Sequence, residues 1–415
     1  MKAVVFTLGC KVNECESDSL ISGLVDLGYE VSDKLVQADL YIVNTCAVTN
    51  EAEKKSRQMA SRIKKLSKNA KIIFTGCAVQ KNPEQFMDKS NDVLLTGVFN
   101  KNEILSLLNE KGNHVSPPCE TFEELLPVKS LRTRDYVKVQ DGCNNFCSYC
   151  IIPYLRGRNR ARVPENVYHE IKNTKAKEVV INGINLSAYD YNGLNLTGLI
   201  KTLRDLPVRI RLGSLEVNVI DREFLSALKE LYDFAPHFHL SLQSGSDSVL
   251  KKMNRHYTTA EYLEKVNLIR EYFADAGITT DIIVGFPTET EEDFYKTVEF
   301  VKKVNFADIH PFPFSSRSGT VASKMKDLDK EVKKQRLDKL LKIKEQCKKD
   351  FALNMKNKEL DFLFEEVKDG YAVGYTQNYL RVYIKDYKIN QNNQIEKVIV
   401  GSPYLDGAIA TQKGV

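Results

Sequence analysis

Short apolar runs alternate with longer amphipathic segments along the first part of the chain. The runs AVVFTLGC, ADLYIVNTC, AKIIFTGC and DVLLTGV predict four strands, and the segments between them predict helices. Strands that are apolar throughout are typical of a parallel sheet whose two faces are both covered. We therefore expect an N-terminal α/β domain over residues 1–112, built on a parallel sheet.

A second strand–helix series follows a predicted linker over residues 113–130, which contains Pro117, Pro118 and Pro127. Six apolar runs, each followed by a helical segment, extend over residues 131–350: DYVKVQDG, KEVVING, RIRLGSLE, HFHLSLQSG, TTDIIVGFP and ADIHPFPF. Six successive βα units favour a partial (β/α)6 version of the (β/α)8 barrel. The functional site of such a barrel lies at the carboxyl ends of its strands.

The pattern changes again near the C-terminus. A basic amphipathic helix is predicted from roughly Asp329 to Lys356. Within residues 351–415, short β-rich runs joined by polar turns predict a small all-β barrel or sandwich. The predicted fold class is thus α/β, with an N-terminal parallel sheet, a central partial barrel and a C-terminal all-β unit.

The amino-acid composition adds few constraints to the predicted fold class. The 415 residues are 42% hydrophobic and 28% charged, as in ordinary soluble globular proteins. No run of 18 apolar residues occurs, and MKAVVFTLGC resembles a strand rather than a signal peptide, so we expect a cytoplasmic protein without a membrane partner. The net charge of +5 is mild, but basic residues cluster within 54–71, 156–162 and 330–358. These clusters indicate either solvated surfaces or a polyanionic partner.

The cysteines carry the first chemical signal. There are nine, and a cytosolic location disfavours disulfides, which leaves metal or redox chemistry for some of them. Cys10, Cys46 and Cys77 each end a predicted strand, and parallel strands bring their ends to one edge, where open α/β sheets bind ligands. We predict a metal or cluster site there. Cys347 has the helical spacing of a core residue, and Cys15 and Cys119 stay unassigned.

A second group of cysteines lies in CNNFCSYC, directly after the first barrel strand. Cys143, Cys147 and Cys150 could ligate three irons of a 4Fe–4S cube from one short loop, leaving the fourth iron open to a ligand from outside the protein. A zinc site would need a fourth Cys or His. The nearest histidine is His169, in a segment that reads as helix, which weakens the zinc alternative.

The spacing C-x3-C-x2-C in this loop resembles the signature of the radical S-adenosylmethionine (radical SAM) superfamily. The resemblance implies that the open iron binds the amino and carboxylate groups of S-adenosylmethionine, which one electron then cleaves to a radical. It also implies a set of contacts to this cofactor: Phe146, Tyr149, Gly183, Asn185, Glu216, Gln243 and Gly285.

The combination of three units resembles the methylthiotransferase family over essentially the whole chain. That resemblance implies a second 4Fe–4S cluster on Cys10, Cys46 and Cys77, and a C-terminal RNA-binding barrel of the TRAM type. In GYTQNYLRVYI, aromatic and basic groups interleave as base stacking and phosphate contact require, although paired aromatics on an ordinary strand would look similar. The candidate RNA contacts of this segment are Tyr375, Tyr379, Arg381 and Tyr383.

The segments LGCKVNECES and NTCAVTNEAEKKSRQ resemble the branch of that family that acts on N6-threonylcarbamoyladenosine in tRNA. This implies insertion of a methylthio group at C2 of that nucleoside at tRNA position 37, with a one-electron donor such as flavodoxin or ferredoxin and a sulfur source that the sequence leaves open. Two alternatives remain: a methylthiotransferase acting on an aspartate of a ribosomal protein, and an RNA-binding protein with a structural or redox-sensing cluster. LEVNV and RNRARVPEN depart from the Glu-Pro and Ser-Arg-Pro expected in the family.

The last motif is YLRGRNRAR, with four arginines at alternate positions just beyond the cysteine loop. Alternate spacing in an extended loop would place Arg156, Arg158, Arg160 and Arg162 on one side. Guanidinium groups suit bidentate contacts with phosphate or carboxylate. We expect either a solvated basic loop or a loop that binds the tRNA backbone or the threonylcarbamoyl carboxylate.

Overall fold

The computed structural model describes residues 1–87, 92–125, 133–388 and 395–413. The N-terminal unit is a parallel sheet of order β2-β1-β3-β4-β5-β6. Its elements are β1 Lys2–Thr7, α1 Lys11–Asp26, β2 Glu30–Ser32, β3 Leu40–Thr45, α2 Asn50–Leu66, β4 Lys71–Gly76, α3 Cys77–Lys81, β5 Val93–Leu95 and β6 Gly112–Asn113. The four predicted strands are confirmed. The short β2 and β6 carry no apolar run and were not predicted.

Both faces of this sheet are buried, which explains why its strands are apolar throughout. Val4 and Tyr41 pack on one face with Met59 of α2, whereas Val5 and Ile42 pack on the other in a cluster that includes α1 residues. Successive strand residues point to opposite faces, so a sheet covered on both sides needs apolar residues at every position.

The central unit is an open barrel of parallel strands that follow one another as β7-β9-β12 and then β13-β15-β16-β17. All six predicted strands are confirmed, and Gly213 divides the third of them into β12 and β13. The strands of this unit are β7 Arg134–Asp141, β8 Arg160–Ala161, β9 Glu178–Gly183, β10 Asp190–Tyr191, β11 Leu194–Asn195, β12 Arg209–Leu212, β13 Ser214–Leu215, β14 Asp233–Phe234, β15 His237–Leu240, β16 Gly277–Val284 and β17 Asp308–Pro313.

Helices cover the outside of this barrel, except the first, which packs Leu155 into the core of the N-terminal unit. They are α4 Ile152–Arg156, α5 Pro164–Lys172, α6 Leu196–Thr202, α7 Arg222–Lys229, α8 Asp247–Lys252, α9 Thr259–Tyr272, α10 Glu291–Val304 and α11 Lys330–Asn354. Reciprocal side-chain caps start two of them: Thr258 with Glu261 at α9 and Thr290 with Asp293 at α10. Cys347 of α11 is buried in the barrel's apolar core, as its spacing predicted.

The C-terminal unit is a closed five-stranded barrel of order β18-β19-β20-β22-β21, which confirms the predicted all-β unit. Its strands are β18 Glu359–Lys368, β19 Tyr371–Thr376, β20 Arg381–Lys385, β21 Ile395–Tyr404 and β22 Gly407–Gln412. This unit packs against the amino ends of the central strands. Arg209 Nη2 lies 3.0 Å from Asp361 Oδ2, and Asn378 Nδ2 donates to the carbonyl oxygen of Asp275 at 2.8 Å. It therefore closes the end of the central barrel opposite the cysteine loop.

The predicted linker is only partly within the described residues, since 126–130 lie outside them. Its first part runs along the N-terminal unit: Gln80 Nε2 donates to the Ser116 carbonyl oxygen at 3.1 Å, and Val115 and Cys119 pack against that unit's core. Among the described helices, none combines the length and apolar character needed to cross a membrane.

Candidate functional site

The cysteine loop leaves the carboxyl end of β7 through Gly142. This glycine has a φ of +71°, and a Cβ there would lie 1.9 Å from the carbonyl oxygen of Arg158. Further along, the Ser148 hydroxyl donates to the Lys252 carbonyl oxygen at 2.8 Å, and the Ser148 carbonyl accepts from the Ala322 N–H at 2.7 Å. The loop is thus fixed from both sides.

Hydrogen-bond donors surround the sulfur atoms of this loop. Arg255 Nη1 lies 3.4 Å from Cys147 Sγ, and Asn185 Nδ2 lies 3.7 Å from Cys143 Sγ. Burial, reinforced by the other two thiols, raises the pKa of Cys150 to about 12. A thiolate at such a buried position is stabilised by a nearby positive charge, which Arg255 supplies.

Arg255 also ties the loop to the strand-end residue Glu216. Its Nη1 lies 2.8 Å from Glu216 Oε1, and the same carboxylate oxygen accepts from Asn145 Nδ2 at 2.6 Å. The sequence predicted Glu216 but missed Arg255, which lies in a turn between α8 and α9 without any periodic pattern.

The two aromatic residues of the loop have different surroundings. Phe146 has a φ of +46°, and the Arg158 guanidinium lies 4.5 Å from the centre of its ring. Tyr149 packs instead into a small apolar cluster with Met253 and Phe286.

The remaining predicted cofactor contacts lie at strand ends, but their neighbours are protein groups. Gly183 adjoins Gln140, whose Oε1 would be 2.8 Å from an added Cβ. Gln243 has a φ of +68° and forms a backbone bridge to β16. Beside Gly285, an added Cβ would lie 2.4 Å from Cγ of Lys333. The packing of α11 thus accounts for this last glycine without a ligand.

The N-terminal cysteines lie at the carboxyl edge of their sheet, as predicted. Cys46 and Cys77 follow β3 and β4 directly, whereas Cys10 lies three residues beyond β1 rather than at its last residue. Gly9, with a φ of +110°, lets the Cys10 turn approach Cys46: an added Cβ would lie 2.9 Å from Cys46 Sγ. Burial raises the pKa of Cys46 to about 12, and the charges of Cys77 and Cys10 add to this effect.

Arg156 joins this second triad to the central barrel. It is wholly buried, and its Nε lies 3.3 Å from Cys77 Sγ. Its Nη1 lies 2.8 Å from Glu16 Oε1 and 3.2 Å from Asp141 Oδ2. Burial alone would raise the pKa of Glu16, but Arg156, Lys101 and Lys138 together hold it well below its usual value.

Both triads fit an iron–sulfur cluster. All six thiols are free, and each triad has a guanidinium donating toward one of its sulfur atoms. Within the part of the chain that the structure describes, no three His, Cys, Asp or Glu side chains are placed to hold a single metal ion. A cube differs from such an ion because it takes one thiolate on each of its irons.

A cavity of about 690 Å³ occupies the interior of the central barrel, and all three units line it. Cys10 and Lys11 line it from the N-terminal unit, and Tyr375 and Tyr379 from the C-terminal barrel. The central barrel contributes, among others, Asn182, Gly183, Ser214, His237, His239, Thr279, Asp281 and His310. One edge of this space is therefore formed by a cysteine of the N-terminal triad, and its other walls by the barrel strands and the C-terminal unit.

The prediction that four arginines share one side of an extended loop is wrong. Arg156 ends α4 and is buried, as described above. Arg160 is buried and donates to the carbonyl oxygens of Arg156 and Arg158. Arg162 is buried between Glu124 and Glu170. Arg158 alone of the four is exposed, because the other three side chains bond carboxylates or carbonyl oxygens of the protein.

The RNA contacts predicted on GYTQNYLRVYI stay a prediction, although these side chains also make contacts within the protein. Tyr379 stacks between His237 and Tyr375, with ring centres 4.4 and 4.5 Å apart, at the junction with the central barrel. Arg381 Nη1 pairs with Asp406 at 3.0 Å, and Tyr383 is buried and donates to the same carboxylate. Aromatic spacing in the sequence could not reveal that Tyr379 stacks on His237 of the central barrel.

Comparisons with known proteins agree with this architecture. Residues 137–301 match the model of the radical SAM superfamily, and residues 2–97 match that of the uncharacterized protein family UPF0004. Among solved structures, the radical S-adenosylmethionine methyltransferase TsrM of Kitasatospora setae is similar, with a TM-score of 0.53 and 15% identity over 75% of this chain and 74% of that one. At that identity the likeness shows the fold alone.

Curated relatives are similar over nearly the whole chain. The threonylcarbamoyladenosine tRNA methylthiotransferase MtaB of Bacillus subtilis is 35% identical over 98% of this chain and 96% of its own length. The protein of that name from Aquifex aeolicus is 37% identical over 94% and 98%. A tRNA-2-methylthio-N(6)-dimethylallyladenosine synthase of Natranaerobius thermophilus is 34% identical over 88% and 86%. This chain therefore belongs to the tRNA methylthiotransferase family, as a transferase built on a radical SAM domain.

Proposed function

We propose that this protein inserts a methylthio group at C2 of N6-threonylcarbamoyladenosine at position 37 of tRNA. The observation that carries the proposal is the interior cavity, which is bordered by Cys10 of the N-terminal triad and lined by strands of the radical SAM barrel. The names of the Bacillus and Aquifex relatives support the choice of nucleoside.

Two 4Fe–4S clusters and S-adenosylmethionine fit the donors present. Cys143, Cys147 and Cys150 would hold the radical SAM cluster, and Cys10, Cys46 and Cys77 the auxiliary one. When bound, these groups would supply one-electron cleavage of the sulfonium, activation of an aromatic C–H bond, and the methyl that is transferred.

The chain's own residues hold and orient the site. Arg255 would place positive charge beside the radical SAM cluster and fix the Glu216 carboxylate at the barrel mouth. Arg156 would place positive charge beside the auxiliary cluster at Cys77. Its ion pair with Glu16 holds α1 against the segment that follows the radical SAM cysteine loop. Asn185 would direct its amide toward Cys143.

The remaining cofactor contacts, at Phe146, Tyr149, Gly183, Gln243 and Gly285, stay part of this proposal. For tRNA, the exposed Arg158 beside the cluster loop is the member of its motif that is free to contact the backbone. We further propose a cytoplasmic location and a one-electron donor such as flavodoxin or ferredoxin. The domain boundaries given above stay predictions.

Nucleoside mass spectrometry of tRNA tests the proposal. A strain lacking this protein should contain N6-threonylcarbamoyladenosine without its 2-methylthio derivative. The derivative should return with the wild-type chain but not with a Cys143→Ala variant. Persistence of the derivative in the deletion strain, or loss of a methylthio group from a ribosomal protein instead, would contradict the assignment.

A further inference from the structure

Lys11 is the unpaired charge of the interior cavity. It follows Cys10 and lines the cavity, where its side chain stays accessible although protein surrounds it. Of the charges on the barrel strands, that of Arg211 repels the Lys11 ammonium and that of Asp281 attracts it. Among the described residues, no hydrogen bond or ion pair reaches its ammonium group.

The acidic groups that line the same cavity are already paired. Asp281 Oδ2 lies 3.3 Å from His239 Nε2, and Asp308 Oδ1 lies 3.6 Å from Lys344 Nζ. Asp406 pairs with Arg381 at 3.0 Å. Lys11 is therefore a cavity cation that makes no ion pair of its own with any described residue, which favours an anionic ligand beside it.

A second unsatisfied group lines this space. His237 is buried and its Nε2 lies 3.0 Å from Thr279 Oγ1, but its Nδ1 has no hydrogen-bond partner among the residues that the structure describes. A neutral imidazole nitrogen donates or accepts according to its tautomer, so it can bind a carboxylate or a hydroxyl. Burying such an atom without a partner is unfavourable, and a bound ligand would remove that cost.

We propose that Lys11 and His237 bind the N6 substituent of the substrate, and that Lys11 selects adenosines whose substituent carries a carboxylate. This inference rests on the proposed function. The threonylcarbamoyl group carries both a carboxylate and a hydroxyl. A dimethylallyl group carries neither, and would leave the Lys11 charge unpaired in a confined space.

Binding of anticodon stem-loops to the cluster-loaded protein tests this directly. Three RNAs of one sequence are compared, with adenosine 37 carrying a threonylcarbamoyl group, its uncharged amide, or no modification. The wild-type chain should prefer the acid to the amide by roughly 10- to 100-fold, the contribution of one charged hydrogen bond. Lys11→Met should abolish that preference, and Lys11→Arg should keep most of it.

Controls separate local damage from lost recognition. Lys54→Met removes the same charge from the exposed face of α2, and should leave the preference for the acid unchanged. Because Lys11 adjoins Cys10, iron content is measured for every variant, and Lys11→Met should match the wild-type chain. An unchanged preference in Lys11→Met would overturn the inference alone. If the wild-type chain methylthiolates none of the three RNAs but acts on a dimethylallyl stem-loop, both the proposed function and this inference fail.

Discussion

Arg156 and Arg255 each place a guanidinium against a cysteine sulfur, one in each triad. In both cases the same side chain also pairs with a carboxylate, Glu16 for Arg156 and Glu216 for Arg255. A planar group with several donors can make these contacts at once, which a lysine ammonium does less well. At the scale of single residues, the site thus depends on arginines that reach both a sulfur and an acid.

Arg156→Lys should destabilise the protein and weaken the auxiliary cluster. The charge stays, but the contacts to Cys77 and Asn13 are lost, at a cost of about 1–3 kcal/mol. We expect a lower unfolding temperature and a partial loss of iron. Arg158→Lys is the matched control, because Arg158 is exposed and should tolerate the change. Equal stability and iron content in the two variants would contradict the proposed role of Arg156.

Arg255→Lys should act on the other cluster. Arg255 contacts Glu216 and Cys147 through Nη1 while its Nε and Nη2 bond Tyr257 and Ser241, and a single ammonium cannot make all four contacts at once. We expect an altered electron paramagnetic resonance spectrum of the reduced radical SAM cluster and slower cleavage of S-adenosylmethionine. The iron of the auxiliary cluster should be unaffected. A wild-type spectrum and cleavage rate would argue that Arg255 has no part in the site.

At the scale of elements, each triad depends on tight turns at strand ends. Gly9, Gly76 and Gly142 directly precede Cys10, Cys77 and Cys143, and all three have positive φ values. These are turns that a residue with a Cβ adopts only at a cost. The turns place sulfur atoms from separate strands or loop positions together at the carboxyl edges of two different sheets.

Gly142→Ala tests this dependence. The added methyl would meet the Arg158 carbonyl oxygen at 1.9 Å, so the cysteine loop must shift. We expect about half of the total iron to be lost, together with S-adenosylmethionine cleavage. Gly193→Ala is the control: this glycine has a φ of +90° but nothing within 4 Å of an added Cβ. If both variants keep full iron, the loop geometry is not what holds the radical SAM cluster.

The strands that carry the site could be predicted because they are continuous apolar runs ending in Cys or Gly. The cysteines followed from their positions at those ends. The ion pairs of Arg156 with Glu16 and of Arg162 with Glu124 could not be predicted, since these glutamates are far away in the sequence and are brought close only by folding. Lys11 lies in LGCKVNECES, the segment that resembles the threonylcarbamoyladenosine branch, but its lack of an ion pair in the cavity could not be predicted because it depends on the folded arrangement of charges.

At the scale of the whole molecule, three units enclose one space. The N-terminal sheet supplies Cys10 and Lys11, the central barrel supplies the walls, and the C-terminal barrel closes the amino ends of the strands with Tyr375 and Tyr379. Tyr375 and Tyr379, which the sequence predicted as RNA contacts, thus line the cavity. No single unit would form the cavity alone.

Two clusters in two units predict how many irons the wild-type chain and each cysteine variant bind. Anaerobically reconstituted protein should bind about eight irons, as expected for two four-iron cubes. Replacing Cys10, Cys46 and Cys77 by Ala should leave about four irons and detectable S-adenosylmethionine cleavage. Replacing Cys143, Cys147 and Cys150 should also leave about four, but abolish cleavage. A full iron count in either triple variant would remove that triad from the set of ligands.

The most direct test of the account is the reaction itself. The reconstituted protein is incubated anaerobically with dithionite, sulfide as a sulfur source, S-adenosylmethionine and an anticodon stem-loop that carries N6-threonylcarbamoyladenosine, and the nucleosides are then analysed by mass spectrometry. The account predicts the 2-methylthio derivative with the wild-type chain and none with either triple cysteine variant. Absence of the derivative with fully loaded wild-type protein that cleaves S-adenosylmethionine, or its formation by a triple variant, would contradict the account.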